Sequence, residues 1–282
     1  MPRPSIFRKT LRDLRWQIVW YGLGLGLMAA FVVYVYPSYS SQLADLELPD
    51  AMKAMIGNAD YGTPQGFLSG ELLSWAPLVL VVFAVMGGTS ALAGEEANGT
   101  MDLLLAQPIS RVRLALEKLV ALLVATLAIC AIIYAGFLIS VPFVDINIGL
   151  DDLLAGTLNL VPLVLLFESF SMWAGVALPS RGVATGLSVA VAVASYFFYY
   201  LGNLVDALHP LRWTSVFYHY HGTEVLSDGI NWAGVLLLCS LYVLFAVWAL
   251  YLFQQRDIGV ASQGLRLPWQ RGAVATSEST TG

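Results

Sequence analysis

Six runs of mostly apolar residues, at about 16–36, 72–93, 117–140, 153–178, 183–205 and 232–253, take up most of the 282-residue chain. About 20 such residues are what a helix needs to cross a bilayer's hydrocarbon core. The fold class that follows is an all-α polytopic membrane protein with six transmembrane helices. Composition agrees, because 58% of the residues are hydrophobic and 12% charged, against roughly 45–50% and 25% in soluble domains. The first run follows basic residues as a secretory signal would, yet it is long for one and no small-x-small cleavage site follows, so it reads as a retained span.

Orientation comes from the lysines and arginines that flank the runs. With a cytoplasmic N-terminus, that side carries twelve: Arg3, Arg8, Lys9, Arg12, Arg15, Arg111, Arg113, Lys118, Arg181, Arg256, Arg266 and Arg271, and the other side only Lys53 and Arg212. Both termini are thereby expected in the cytoplasm. Acids collect on the outer side, Glu71 among them in a first outer loop spanning about 37–71, so the net charge of −5 carries no message about nucleic acid. Cys130 and Cys239 both fall within spans, which argues against a disulfide framework.

The expected domains are a cytoplasmic amphipathic interfacial helix at 1–15, a six-span domain at 16–253 and a cytoplasmic tail at 254–282, disordered toward its end. In the first of these, Phe7, Leu11, Leu14 and Ile18 form an apolar stripe suited to acyl chains, beside Arg8, Arg12 and Arg15, with Ser5 as a cap. The third outer loop, about 206–231, is aromatic-rich and is expected to form an interfacial belt or a short re-entrant helix pair.

Several side-chain groups invite a role. Gly182, Gly186, Ala190 and Ala194 recur every four residues and predict a helix-packing face in the fifth span, between two copies of the chain; Gly22 and Gly26 repeat the spacing in the first. Glu168 is a carboxylate deep in the fourth run, a candidate for a transport pathway or a neutral carboxyl bonded to a neighbouring helix. His219, His221 and Glu224 have ligand-type side chains, but a closed metal site wants about four ligands, and no metal is expected. No Gly-x-x-x-x-Gly-Lys-Ser/Thr pattern occurs, so if ATP is used here another chain binds it.

Between the second and third runs lies "GEEANGTMDLLLAQPISRVRLALEK", residues 94–118, with seven charged residues: Glu95, Glu96, Asp102, Arg111, Arg113, Glu117 and Lys118. Asn98 or Thr100 is expected to cap a short helix with Asp102 in its first turn and Met101, Leu104 and Leu105 on an apolar side. Pro108 ends it, and Ser110 caps the next helix.

The string Glu95-Glu96-x-x-Gly99-Thr100-x-Asp102-x-Leu104-Leu105-x-x-Pro108-x-Ser110-Arg111, with Lys118 after it, closely resembles the segment after the second span in permease subunits of the ABC type-2 transporter family. It departs from the usual form at Met101, Asp102 and Glu117. The resemblance implies a coupling helix at 98–110 that docks on a separate ATPase subunit through Met101, Leu104 and Leu105, with Glu95 and Glu96 paired to Arg111, Arg113 or Lys118. It implies further an ATP-driven exporter in the cell membrane, built from two permease copies among lipids. Mg-ATP would be bound by the partner, and no cofactor by this chain. A non-transporting membrane scaffold or sensor, and an intramembrane metalloenzyme at His219, His221 and Glu224, are the competing readings.

Overall fold

The structure, a computed structural model, describes residues 6–43, 61–101 and 110–255. Ser5, residues 44–60 of the first outer loop, Asp102, Leu104, Leu105, Pro108 and the tail from Arg256 lie outside the described residues. The described chain is helical: α1 (Ile6–Leu43), α2 (Pro64–Ala97), α3 (Arg111–Ser140), α4 (Leu150–Ala177), α5 (Arg181–Leu204), the short α6 (Val216–Tyr220) and α7 (Val225–Asp228), and α8 (Trp232–Gln255). Six of these helices are long and apolar enough to cross a membrane, and they contain or closely overlap the six apolar runs.

Local signals set several of the starts. Thr63 caps α2 by accepting from the Gly66 N–H at 3.1 Å, with Pro64 supplying the preset φ of a first helical residue. Ser110 caps α3 through Arg113 N–H and Ser180 caps α5 through Val183 N–H, each at 3.3 Å. Asp151 and Asp152 occupy the first turn of α4, at the positive end of its dipole.

The bundle closes where helices lack side chains. A Cβ on Gly136 of α3 would sit 2.1 Å from the Gly26 carbonyl oxygen of α1, so these backbones touch. On α2, a Cβ at Gly88 would lie 2.4 Å from the Glu168 carbonyl oxygen of α4. Helices α2 and α4 form the buried centre, with Leu80, Phe83, Leu160, Leu163 and Phe167 in the core. Phe170 and Trp173 of α4 meet Phe245 and Trp248 of α8, with Phe170 edge-on to Phe245 at 5.0 Å.

Two expectations change here. Helix α1 is unbroken for 38 residues, about 57 Å at 1.5 Å per residue, with no junction at 15 and 16. Much of its early apolar stripe meets protein: Leu14 is buried in the core and Leu11 and Ile18 pack on it, while Phe7 is half-buried. The reason is that α3 runs alongside and offers an apolar face which competes with lipid for the same side chains. In α5 the expected packing face stays open among the described residues of one copy: a Cβ on Gly186 would have nothing within 4 Å, and one on Gly182 would meet only the neighbouring Ser180. Glu71, placed in a loop from hydropathy, instead belongs to α2, because the Thr63–Pro64 cap starts that helix well before its apolar run.

Opposite the end that carries the N-terminus, the 206–231 segment folds back onto the bundle as a 3-10 stretch (Asp206–Thr214) followed by α6 and α7. Phe217, Tyr220, Val225 and Leu226 are buried, Asn159 donates to the Tyr220 carbonyl at 2.6 Å, and the Tyr220 hydroxyl donates to Leu73 O at 3.2 Å.

Candidate functional site

Helix α2 ends at the segment singled out by its charges. Gly99 has φ +68 with open space around it, so conformation rather than crowding requires glycine there. Thr100 N–H bonds Glu95 O at 2.9 Å and Gly99 N–H bonds Glu96 O at 3.1 Å, the paired bonds of a Schellman helix end. Asn98 is therefore part of this terminating turn, with helical backbone angles, and is not the cap of a following helix. Met101 comes next, buried in the core and pinned to the bundle.

Glu95 organises the elbow. Its Oε1 accepts from Lys118 Nζ of α3 at 2.8 Å and from Lys9 Nζ of α1 at 3.2 Å, and Oε2 accepts from the Thr100 hydroxyl. The Lys118 side chain is 4% exposed and that of Glu95 13%. A cation and an anion so far out of water hold together because each is the other's main solvation. Of the three partners expected for the paired glutamates, Lys118 takes Glu95. Arg113 pairs with Glu117 one turn on, at 2.9 Å. Arg111 reaches the Phe253 and Gln254 carbonyls at the end of α8, each at 3.4 Å, where a cation meets the negative end of a helix.

Glu117, a departure from the family pattern, has a task of its own: its Oε2 accepts from Phe7 N–H at 3.1 Å in the first turn of α1. Arg181, at the start of α5, donates to Ser90 Oγ of α2 at 2.7 Å. Around these contacts lies a cavity of about 380 Å³ whose wall includes Lys9, Asp13, Ser90, Glu95, Lys118 and Arg181. Five spans, α1, α2, α3, α5 and α8, are thus tied by polar bonds to the two ends of the 102–109 segment or to their immediate supports.

The other candidates are held separately. Glu168 is buried between α2, α3 and α4 and accepts from the Thr126 hydroxyl at 2.7 Å, with Ser169 bonded to Leu166 O. His219 Nε2 bonds Trp213 O at 3.0 Å while His221 Nδ1 bonds Glu224 at 2.9 Å, so the two imidazoles serve different partners. Among the described residues no group of three His, Cys, Asp or Glu side chains is placed to hold a metal.

Sequence reasoning missed Glu71. It lies in a wide π-type turn of α2, Ser69–Leu73, as Glu95 immediately follows another, Ser90–Gly94. Tyr61 donates its hydroxyl to Glu71, and burial together with the adjoining carboxylate holds that phenol above the ordinary tyrosine range. The Thr-Pro pair at 63 and 64 was the signal that could have found it.

The family comparison covers almost the whole of this architecture: the model described as ABC-2 family transporter protein matches residues 5–258. No curated protein matches the chain. A match of that extent, over six apolar helices and the elbow between the second and third, makes the chain a member of the ABC-2 transporter family, a multi-pass permease of the cell membrane.

Proposed function

We propose that this permease is the membrane half of an ATP-driven exporter, working as a pair of copies, each engaging a separate ATPase through residues 98–110 on the cytoplasmic side. The supporting observation is the clamp on either flank of 102–109. Thr100 on one side and Ser110 and Arg111 on the other are bonded to α2, α3 and α8, and Glu95 and Glu117 carry the connection on to α1, so a push on the intervening segment reaches much of the bundle at once. Such a lever is what alternation between inward-open and outward-open states needs. Mg-ATP belongs to the partner in this reading, since the chain has no phosphate-binding loop. The α5 stripe, unpacked within one copy, is where the second copy would approach.

Because Met101 is buried within its own chain, Leu104 and Leu105 carry the docking. Leu104→Asp and Leu105→Asp are expected to abolish co-purification with a co-expressed ATPase subunit, because a charge in an apolar anchor pocket costs about 2–4 kcal/mol or more, while membrane insertion persists. Undiminished ATPase association in both variants would overturn the assignment.

A further inference from the structure

Along the flank of the bundle, between α1 and the first half of α2, runs a groove of about 500 Å³, within the range of about 300–1,000 Å³ usual for small-molecule sites. Trp20, Tyr21 and Met28 line one side and Trp75 and Val79 the other. Glu71 is the carboxylate in that lining. Both indoles are largely exposed at the rim.

Glu71 is the eighth residue of α2 and shares the groove with Met28 of α1. Two contacts set the register of the antiparallel pair: Tyr36 Oη to Gly62 O at one end, at 3.1 Å, and Lys9 to Glu95 at the other. Between them Tyr21 meets Phe83, rings 5.6 Å apart. Glu71 thus falls near the level of Met28 to Ala30 of α1, where the apolar run of its own helix begins. Its neighbour Tyr61 is a neutral donor, and among the described residues no Lys or Arg lies within ion-pair distance of it. A carboxylate in the wall of an otherwise apolar groove is costly to keep unpaired and is typically retained for what it binds. Electron-rich ring faces beside it attract positive charge as well.

We infer that the α1–α2 groove binds a lipophilic monovalent cation, its charged centre at the Glu71 carboxylate and its apolar groups against Trp20, Tyr21 and Trp75. The size of the groove fits a drug-sized amine or quaternary ion, and the one carboxylate that the described residues place in its apolar wall fits one positive charge. As a substrate class for export this rests on the function proposed above; as a binding site it is tested without any ATPase, so either can fail alone.

The test is equilibrium binding of radiolabelled tetraphenylphosphonium to the full-length chain in nanodiscs of zwitterionic lipid. Saturable binding is expected, weakened about tenfold or more in Glu71→Gln, retained within about threefold in Glu71→Asp, and weakened several-fold in Trp75→Ala. Neutral triphenylphosphine oxide should bind more weakly and not distinguish wild type from Glu71→Gln. Equal phosphonium affinity of the wild type and Glu71→Gln would overturn the inference. So would a disulfide between two Trp75→Cys copies that forms unaffected by the cation, since the groove would then belong to the second copy. Should Glu71→Gln fold poorly, the neutral ligand still decides on the wild type: triphenylphosphine oxide bound as tightly as the phosphonium would deny the carboxylate its part.

Discussion

Glu95 and Glu71 sit on the same helix, each beside a wide π-type turn, yet their surroundings differ completely. Glu95, at the end that carries the N-terminus, meets two ammonium groups and a hydroxyl from three separate parts of the chain. Glu71, toward the opposite end, has a phenol for company and an apolar groove in front of it. A carboxylate removed from water must be compensated from somewhere. At Glu95 the fold supplies the compensation and gains a brace between α1, α2 and α3. At Glu71 the described fold supplies much less, which leaves room for a cation from outside.

The largest effect that can break this contrast is expected at Lys118. Lys118→Met strands Glu95 among buried neighbours and is expected to cost about 3–5 kcal/mol, the usual penalty for removing one partner of a buried ion pair. Thermal unfolding of the detergent-solubilised protein measures it, and adding Glu95→Gln should restore most of the loss. If Lys118→Met is as stable as the wild type, Glu95 needs its counter-ion no more than Glu71 does. A smaller effect is expected at the other carboxylate: Glu71→Gln should change stability by less than about 1 kcal/mol, because Gln still accepts from Tyr61 and no ion pair within the described fold is lost. A loss comparable to that of Lys118→Met would make Glu71 a second brace and remove the contrast.

How much of this was legible in the sequence depends on the range of the forces involved. The six spans and the Ser110 cap were readable because hydropathy and capping act between residues close in the chain. At the elbow, the residue types were readable but the partners were not. Lys9 and Glu95 are 86 positions apart, and Lys118 could be preferred over Arg111 only once α8 had put its last carbonyls within reach of that arginine. Asn98 was read as a candidate cap of a new helix, whereas with Gly99 it closes the old one: at a junction the same small and polar residues serve both sides, and the positive φ of Gly99 decides between them. Glu117 looked like a mere departure from pattern because its partner is a backbone N–H of α1. Glu71 was lost for a different reason, since a hydropathy window starts a span where apolar residues begin, whereas α2 starts where Thr63 and Pro64 can cap it.

The finest test separates the two cations on Glu95. Lys118 is 4% exposed and Lys9 45%, so the bond from α1 is made largely in water, where an ion pair is worth about 0–1 kcal/mol and is screened by salt. Lys9→Ala is therefore expected to cost about 0.5 kcal/mol at low ionic strength and to become indistinguishable from wild type as salt is raised, while the Lys118→Met penalty persists. The α1 end would remain held by Glu117 on Phe7 N–H and by Leu14 in the core. A Lys9→Ala loss as large as that of Lys118→Met, and insensitive to salt, would mean that the brace depends on all three helices equally rather than on the α2–α3 pair.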